Sequence, residues 1–481
     1  MLKMLSKEQF RERAADGSAT PVFREFLADR ETPVSVLTRV ADDDNVFLLE
    51  SVTGGEVRGR YSYLGINPRE VVYANGEASP LGDVKKAFSS FRFKMAPELP
   101  ELQGGAVGYV AYDAVGKFVP RVKLEREKTT PLTAFMMTDD LLIFDNVRQT
   151  VIVSCVVRPD GFDSLDAAYD ETLKKIDGIY RRLLSAESIA EYMKRQNKEA
   201  SRSITPFKPE MRMEEFEEIV EKCKAAIRAG EVIQIVPSQK FVAETDIPAI
   251  SLYRALRMVN PSPYNFFFKI GAKTLIGSSP EELVKLSDGV ASTAPIAGTR
   301  PRGKTPAEDV KLERELASDP KERAEHVMLV DLGRNDLGKV CKCGKVEVAS
   351  YAQIERYSHV MHLVSHVTGE LQDGYDAFDL LEATFPAGTL TGAPKVRAME
   401  LIAGLEKSPR GIYGGAAGYF SYNGDMNFAI VIRTMMLDGK RLEMRAGAGI
   451  VADSDPLKEY QETINKSKAI FAAATFAAKL V

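Results

Sequence analysis

Residues 213–241, MEEFEEIVEKCKAAIRAGEVIQIVPSQKF, show the two kinds of order that run through this chain. Up to Gly230 the apolar residues recur at helical spacing, with acidic residues in the first turn and a glycine where a helix should stop. The run VIQIVPSQKF that follows is short and β-branched, which reads as a strand. The same mixture extends in both directions. Upstream, VFLLESV (46–52), GGAVGYVAYD (104–113), LLIFDN (141–146) and TVIVSCVV (150–157) are strand-like runs between Gly, Pro and Asn. Residues 163–193 have the period of a long amphipathic helix. Downstream, strands and glycine turns dominate, with helices predicted near 306–330, 374–383, 395–404 and 456–478. Pattern alone reaches α/β or α+β and goes no further.

The stretch KRQNKEASRSITPFKPEM (194–211) is polar and contains two prolines, so it reads as a linker. It divides an N-terminal region, 1–193, from a C-terminal region, 212–481. With 481 residues, 44% of them hydrophobic, the chain can bury one large core or two moderate ones. Its 64 basic and 68 acidic residues give a net charge of −4. That balance gives no reason to expect a nucleic acid or an anionic membrane as partner. Any bound anion must be held locally. The N-terminus lacks an apolar stretch of signal length, and no window reaches the apolar run of a membrane helix. Four cysteines are too few for a disulfide framework in a chain this long, so a reduced, cytoplasmic enzyme is expected.

Two Glu-x-x-Glu pairs, Glu322/Glu325 and Glu459/Glu462, place two carboxylates on one helix face each. Either pair alone is ordinary on a solvated helix, while two facing pairs would suit Mg²⁺, which prefers oxygen ligands. Four glycine-rich stretches are more informative: PIAGTRPRG (295–303), FPAGTLTGAPK (385–395), GIYGGAAGYF (411–420) and RAGAGIVADSDP (445–456). Each alone is turn chemistry, but four of them interleaved with Thr299, Thr389, Tyr413 and Arg433 argue for one small-molecule pocket. No GxxxxGK[ST] phosphate loop is present. His359, His362 and His366 have a spacing that on a helix would suggest zinc. The surrounding RYSHVMHLVSHVTGEL alternates like a strand, which sends His359 and His362 to opposite faces. Cys341-x-Cys343 does not have zinc spacing and reads as a turn.

Taken in order, PIAGTRPRG, EHVMLVDLGRNDLGKV, YSHVMHLVSHVTGEL, GTLTGAPKVRAMELI, YGGAAGYF, IVIRT and RAGAGIVADSDP with its following E..ET.NK are similar to the motifs of chorismate-utilising enzymes. The chain resembles the large, chorismate-binding subunit of anthranilate synthase from its N-terminal third to its last helix. That resemblance implies an α+β fold, a sandwich of two antiparallel β-sheets flanked by helices. It implies Mg²⁺ as cofactor, with Glu325 and Glu462 as ligands and Glu322 and Glu459 close by. Gly298, Thr299, Tyr413, Arg433, Gly447, Ala448, Gly449 and Lys466 fall where the family binds chorismate. Glu281, in SSPEEL (278–283), matches the general acid for the departing C4 hydroxyl, which requires a raised pKa. His362 matches the position implicated in the second step, with Thr389 in the loop beside it.

Two positions sort the relatives. Water-activating members carry lysine where this chain has Gln234, and aminodeoxychorismate synthases typically carry lysine where it has Ala297. Gln234 disfavours water and leaves ammonia as the nucleophile, and Ala297 points to amination at C2. A glutamine amidotransferase subunit is the implied partner and ammonia source, because the chain has no room for a glutaminase domain. LLES (48–51) and NPSPY (260–264) resemble the family's tryptophan-binding segments, giving Ser51, Pro263, Tyr264 and Asn265 as regulatory residues, with Asn265 in place of the usual methionine. The competing readings are an aminodeoxychorismate synthase subunit, a silent paralogue that only binds an aromatic metabolite, and a zinc-binding module.

Overall fold

The computed structural model describes residues 2–51, 59–76, 79–126, 128–185, 202–357 and 360–480. Two antiparallel sheets carry the fold. The first has eleven strands, in the order Thr20–Leu27, Thr150–Val157, Asp140–Asp145, Tyr61–Gly65, Asn45–Glu50, Tyr264–Ile270, Lys273–Ser279, Thr434–Asp438, Arg441–Gly447, Ser238–Glu244 and Lys208–Pro209. The second has ten strands and runs from Ile296–Pro301 through Val360–Leu371, Val290–Thr293, Glu282–Ser287, Met426–Ile430, Ala416–Ser421, Gly105–Val110 and Thr133–Thr138 to Glu70–Ala74. Its tenth, Cys341–Arg356, also pairs with Val360–Leu371. The α+β sandwich expected from the sequence is the architecture found.

Strand alternation builds the layers. Within Gly105–Val110, Val107 and Tyr109 pack into the core shared with the first sheet, while Ala106 and Val110 face a second core under the helices Pro320–Gly338, Ala377–Thr384 and Lys395–Leu405. Both faces are therefore covered. Hence TVIVSCVV is buried at all eight positions and reads as a continuous apolar run rather than as an alternation. The outer face of the first sheet is covered by Leu165–Leu184, Ala249–Val259 and Pro456–Ala477, through residues such as Ile176, Leu252 and Ile470.

Both sheets take strands from either side of the 194–211 segment. Residues 194–201 of that segment, and the 186–193 end of the helix expected at 163–193, lie outside the described residues. The described remainder runs along the first sheet, where Lys208–Pro209 pairs with Ser238–Glu244 and Ile204 bridges to Thr245. Two local expectations need correction. The helix expected at 306–330 is two, Pro306–Ser318 and Pro320–Gly338, because the Asp319 side chain caps the amides of Lys321 and Glu322 and Pro320 starts the new helix. Cys341 and Cys343 do not sit in a turn. They open the strand Cys341–Arg356, with Cys341 buried against Gly369.

Candidate active site and a second cavity

Two strand pairs cross from one sheet to the other side by side. The chain leaves the first sheet after Ser279 and enters the second at Glu282, so Glu281 lies on the crossing. It returns from the second sheet after Ile430 and enters the first at Thr434, so Arg433 lies on the other crossing. The two crossings are hydrogen-bonded to each other, Ile430 N to Glu281 O at 3.0 Å and Ser278 N to Arg433 O at 3.3 Å. A carboxyl and a guanidinium distant in sequence are thereby held on adjacent backbones.

Each of these two groups is held against its ordinary state. Burial pushes the Glu281 carboxyl up to about 8, partly offset by the Thr389 hydroxyl and by Lys466. Glu281 as a whole residue is half-buried. Burial also lowers the pKa of Arg433, against the pull of Tyr413. No carboxylate among the described residues forms an ion pair with Arg433, and its backbone takes the left-handed conformation at φ 50°. A desolvated cation without a protein counter-ion is a site for an anion.

His362 is set by a bulge. In the pairing of Ile296–Pro301 with Val360–Leu371, Ala297 is opposite Leu363 and Arg300 opposite Met361, so Gly298 and Thr299 together face His362. Gly298 makes this possible at φ 62°, and a Cβ there would come within 2.7 Å of Leu316. Its carbonyl accepts from His362 Nδ1 at 2.8 Å, with Thr299 Oγ1 at 3.1 Å from the same nitrogen. Donation from Nδ1 leaves Nε2 with the lone pair in the neutral ring. Burial, with Arg433 adding to it, holds the His362 pKa below its usual value, so the ring is neutral at pH 7. Gly298→Ala is expected to lower the unfolding free energy by about 1–3 kcal/mol. A denaturant midpoint unchanged from wild type would sink that expectation.

The Gly447–Gly449 turn lies under Tyr413. A Cβ on Gly447 would be 3.0 Å from the Tyr413 hydroxyl, and one on Gly449 would be 2.6 Å from Gln234 Nε2. Both glycines are needed for that approach. Ala448 N donates to Pro237 O, and Lys466 donates to Gly447 O at 3.1 Å while pairing with Glu462 at 2.7 Å. Burial and Arg410 act in opposite directions on Tyr413, whose hydroxyl rises to about 12 and stays a donor.

The four glutamates lie near the starts of Pro320–Gly338 and Pro456–Ala477, and Lys321 on the first helix acts on Glu459 on the second. They are not equivalent. Glu322 is taken by Arg300 at 3.1 Å, in a guanidinium fork shared with Glu315 and Asp319. Among the described residues, Glu325 accepts only a 3.3 Å hydrogen bond from Gln234 Nε2, and one buried oxygen of Glu459 has no partner. No group of three or more His, Cys, Asp or Glu side chains stands close enough to hold a metal among the described residues. The described histidines each have another partner, His326 with Ser365 and His366 with Glu355 at 3.5 Å, and His359 lies outside the described residues. A cavity of about 1770 Å³ opens on the Glu325 side, and its lining includes Gln234, Glu325, Asp336 and Lys395. Glu281 and Thr389 line a small separate one of about 40 Å³ together with Asp336.

A different cavity, of about 530 Å³, gathers Ser51, just past the end of Asn45–Glu50, with Pro263, Tyr264 and Asn265 at the start of Tyr264–Ile270. Tyr264 donates to Glu282 at 2.8 Å, and the buried side-chain oxygen of Asn265 has no partner among the described residues. Glu282, which the sequence reading did not single out, and His366, which it weighed only for zinc, also line it. The spacing of His362 and His366 on one strand face was a usable signal for His366. Arg300, Asp336 and Lys395 were also missed, although all three lie inside quoted motifs.

The chorismate binding enzyme family model matches residues 44–472. The chain is similar to anthranilate synthase component 1 of Acetivibrio thermocellus, 44% identical over 96% of each chain, and to that of Neisseria meningitidis serogroup B, 42% identical over 98% of each. Among solved structures it is similar to anthranilate synthase component I from Streptococcus pneumoniae TIGR4, with a TM-score of 0.72 at 36% identity, covering 88% of this chain and 94% of that one. The menaquinone-specific isochorismate synthase of Escherichia coli shares the fold, with a TM-score of 0.71 at 20% identity over 97% and 98% of the two chains.

Proposed function

Because the chain belongs to the chorismate-binding enzymes, and among them to the anthranilate synthase component 1 lyases, we propose that it aminates chorismate at C2 with ammonia and eliminates pyruvate to give anthranilate. The observation that carries this reading is the Glu281 carboxyl, its pKa pushed up to about 8 by burial, on a crossing hydrogen-bonded to that of Arg433, which has no ion-pair partner among the described residues. Chorismate has two carboxylates and a C4 hydroxyl that must leave. Arg433, the Tyr413 hydroxyl and the Gly447–Gly449 backbone offer donors to a carboxylate, with Lys466 one turn beyond Glu462.

In the first step ammonia forms the bond to C2, both conjugated ring double bonds shift by one position, and the C4–O bond breaks. The Glu281 proton goes to the departing oxygen, which leaves as water. In the second step His362 Nε2, the free nitrogen of a neutral ring, takes the C2 proton. Its electron pair aromatises the ring as the C3–O bond breaks, and the side chain leaves as enolpyruvate, which becomes pyruvate. Gln234 has no basic lone pair for activating water and Ala297 is apolar, so ammonia at C2 is the favoured nucleophile.

Mg²⁺ fits the hard oxygen donors and the orphaned Glu459 oxygen, with Glu325 and Glu462 as ligands and Glu459 beside them. Glu322, committed to Arg300, is the least available of the four. An ion held there would neutralise a substrate carboxylate and stabilise charge as the hydroxyl leaves. A glutamine amidotransferase subunit supplies the ammonia in this reading, and the compartment is the cytoplasm. Tryptophan is assigned to the 530 Å³ cavity as feedback inhibitor. Glu282, bonded to Tyr264 in that cavity, is the neighbour of Glu281, so an occupant acts on the backbone that carries the acid.

Purified protein with chorismate, Mg²⁺ and ammonium at pH about 8, just at the Glu281 pKa, is expected to release anthranilate and pyruvate together, and EDTA to stop both. An amine formed without pyruvate would turn the reading to aminodeoxychorismate, and intact chorismate would favour the silent paralogue. The chain contains no tryptophan, so fluorescence of added tryptophan reports its own binding. Unchanged emission together with an uninhibited rate would remove the regulatory assignment.

A further inference from the structure

Asp336 and Lys395 form a buried ion pair at 2.6 Å that none of the steps above uses, with their side chains 9% and 10% exposed. Lys395 also donates to Thr384 O at 2.9 Å. Lys339 grips the other Asp336 oxygen at 2.9 Å and donates to Ala383 O at 2.9 Å. One carboxylate thus collects two lysines, and each lysine also satisfies a carbonyl left open at the end of Ala377–Thr384. The residues between Thr384 and Lys395 are the loop that carries Thr389. Both ends of this loop meet at Asp336.

Asp336 in turn lies on Pro320–Gly338, the helix of Glu322 and Glu325. The loop packs on that same helix, since a Cβ on Gly388 would be 2.6 Å from Leu332. Asp336 lines both the small cavity containing Glu281 and Thr389 and the large one containing Glu325. We propose that Asp336 and Lys395 are positioning residues, which fix the Thr389 loop against Glu281 and register it to the glutamate-bearing helix. Burial works against the Lys395 charge even with Asp336 beside it. A buried pair of this kind is a poor source of stability, and apolar replacement is often tolerated, so its use lies in the geometry it fixes.

This inference rests on the proposed amination, so wild-type protein must first convert chorismate and ammonia to anthranilate in the presence of Mg²⁺. Lys395→Met is then expected to lower kcat about tenfold or more, with KM for chorismate within about twofold. Lys395→Arg should recover part of the loss. The deciding measurement is a cycle with Thr389→Ala. If Lys395 acts through the loop, Lys395→Met in the Thr389→Ala background costs less than about twofold. An equal loss in both backgrounds would overturn the positioning role while leaving the activity assignment standing. Absence of wild-type turnover would remove the activity assignment and the positioning role with it. Should Lys395→Met fail to fold, Asp336→Asn, which keeps the shape, or the apolar pair Asp336→Leu with Lys395→Met, runs the same cycle.

Discussion

Glu281→Gln is expected to lower kcat by about 10²–10⁴-fold, the usual contribution of a positioned proton donor, while making the protein more stable at alkaline pH. The two effects have one cause. Burial raises the carboxyl to about 8 from its ordinary 4.5, so the folded protein keeps this proton near neutrality. A proton donor of that pKa is loaded up to about pH 8, and wild-type kcat/KM should fall as pH rises through that value. For stability, the unfolded chain loses the proton near 4.5 and the folded chain only near 8. The contribution is therefore fully present below the unfolded pKa, declines between the two values, and is lost as pH rises through the folded pKa. Glutamine is never ionised, so the variant escapes that loss. Thermal melts at pH 6 and pH 9 check it: the advantage of Glu281→Gln should grow with pH. A variant that melts lower than wild type at pH 9, or retains wild-type kcat, would remove Glu281 as the acid.

What the sequence disclosed about this site follows from what is local. Helix and strand periods placed Glu322 with Glu325 and Glu459 with Glu462 on helices, and the alternation of RYSHVMHLVSHVTGEL placed His362 and His366 on a strand. The family's motifs fixed which glycine loops belong together. The reason they belong together is long-range and not visible in any window. Glu281 and Arg433 are about 150 residues apart in sequence and meet because two strand pairs change sheets side by side. The bulge that pairs Gly298 and Thr299 with His362 depends on the register between two strands some sixty residues apart, although Gly298 advertised a left-handed backbone. Asp336 and Lys395 were quoted inside motifs without a role, because a buried ion pair between two helices leaves no periodic trace. The break at Asp319–Pro320 was legible and was overlooked: an aspartate before a proline is a helix start.

Arg433→Met is expected to reduce kcat/KM for chorismate by about 10²–10³-fold, the loss of one desolvated charge-assisted contact worth roughly 3–4 kcal/mol. The substitution should leave the melting temperature unchanged or raise it. In an ordinary buried ion pair, removing one partner strands the other and destabilises the fold. Arg433 has no such partner among the described residues, and burial already disfavours its charge. Removing the guanidinium strands nothing and relieves a desolvation cost, while methionine keeps the apolar stem. The comparison with Glu281 is the point of the experiment. The acid is held neutral where carboxyls ionise and the arginine is held charged where cations are disfavoured, on two backbones that hydrogen-bond to each other. A dianionic substrate suits both: it supplies the missing counter-charge to Arg433, and it raises the affinity of Glu281 for its proton by like-charge repulsion. Binding of chorismate should accordingly move the alkaline limb of kcat to higher pH than that of kcat/KM. In Arg433→Met, where the carboxylate is no longer drawn in, the gap between the two limbs should close. A gap of unchanged size in the variant would mean that the two crossings act independently, and that their side-by-side course serves only the sheets.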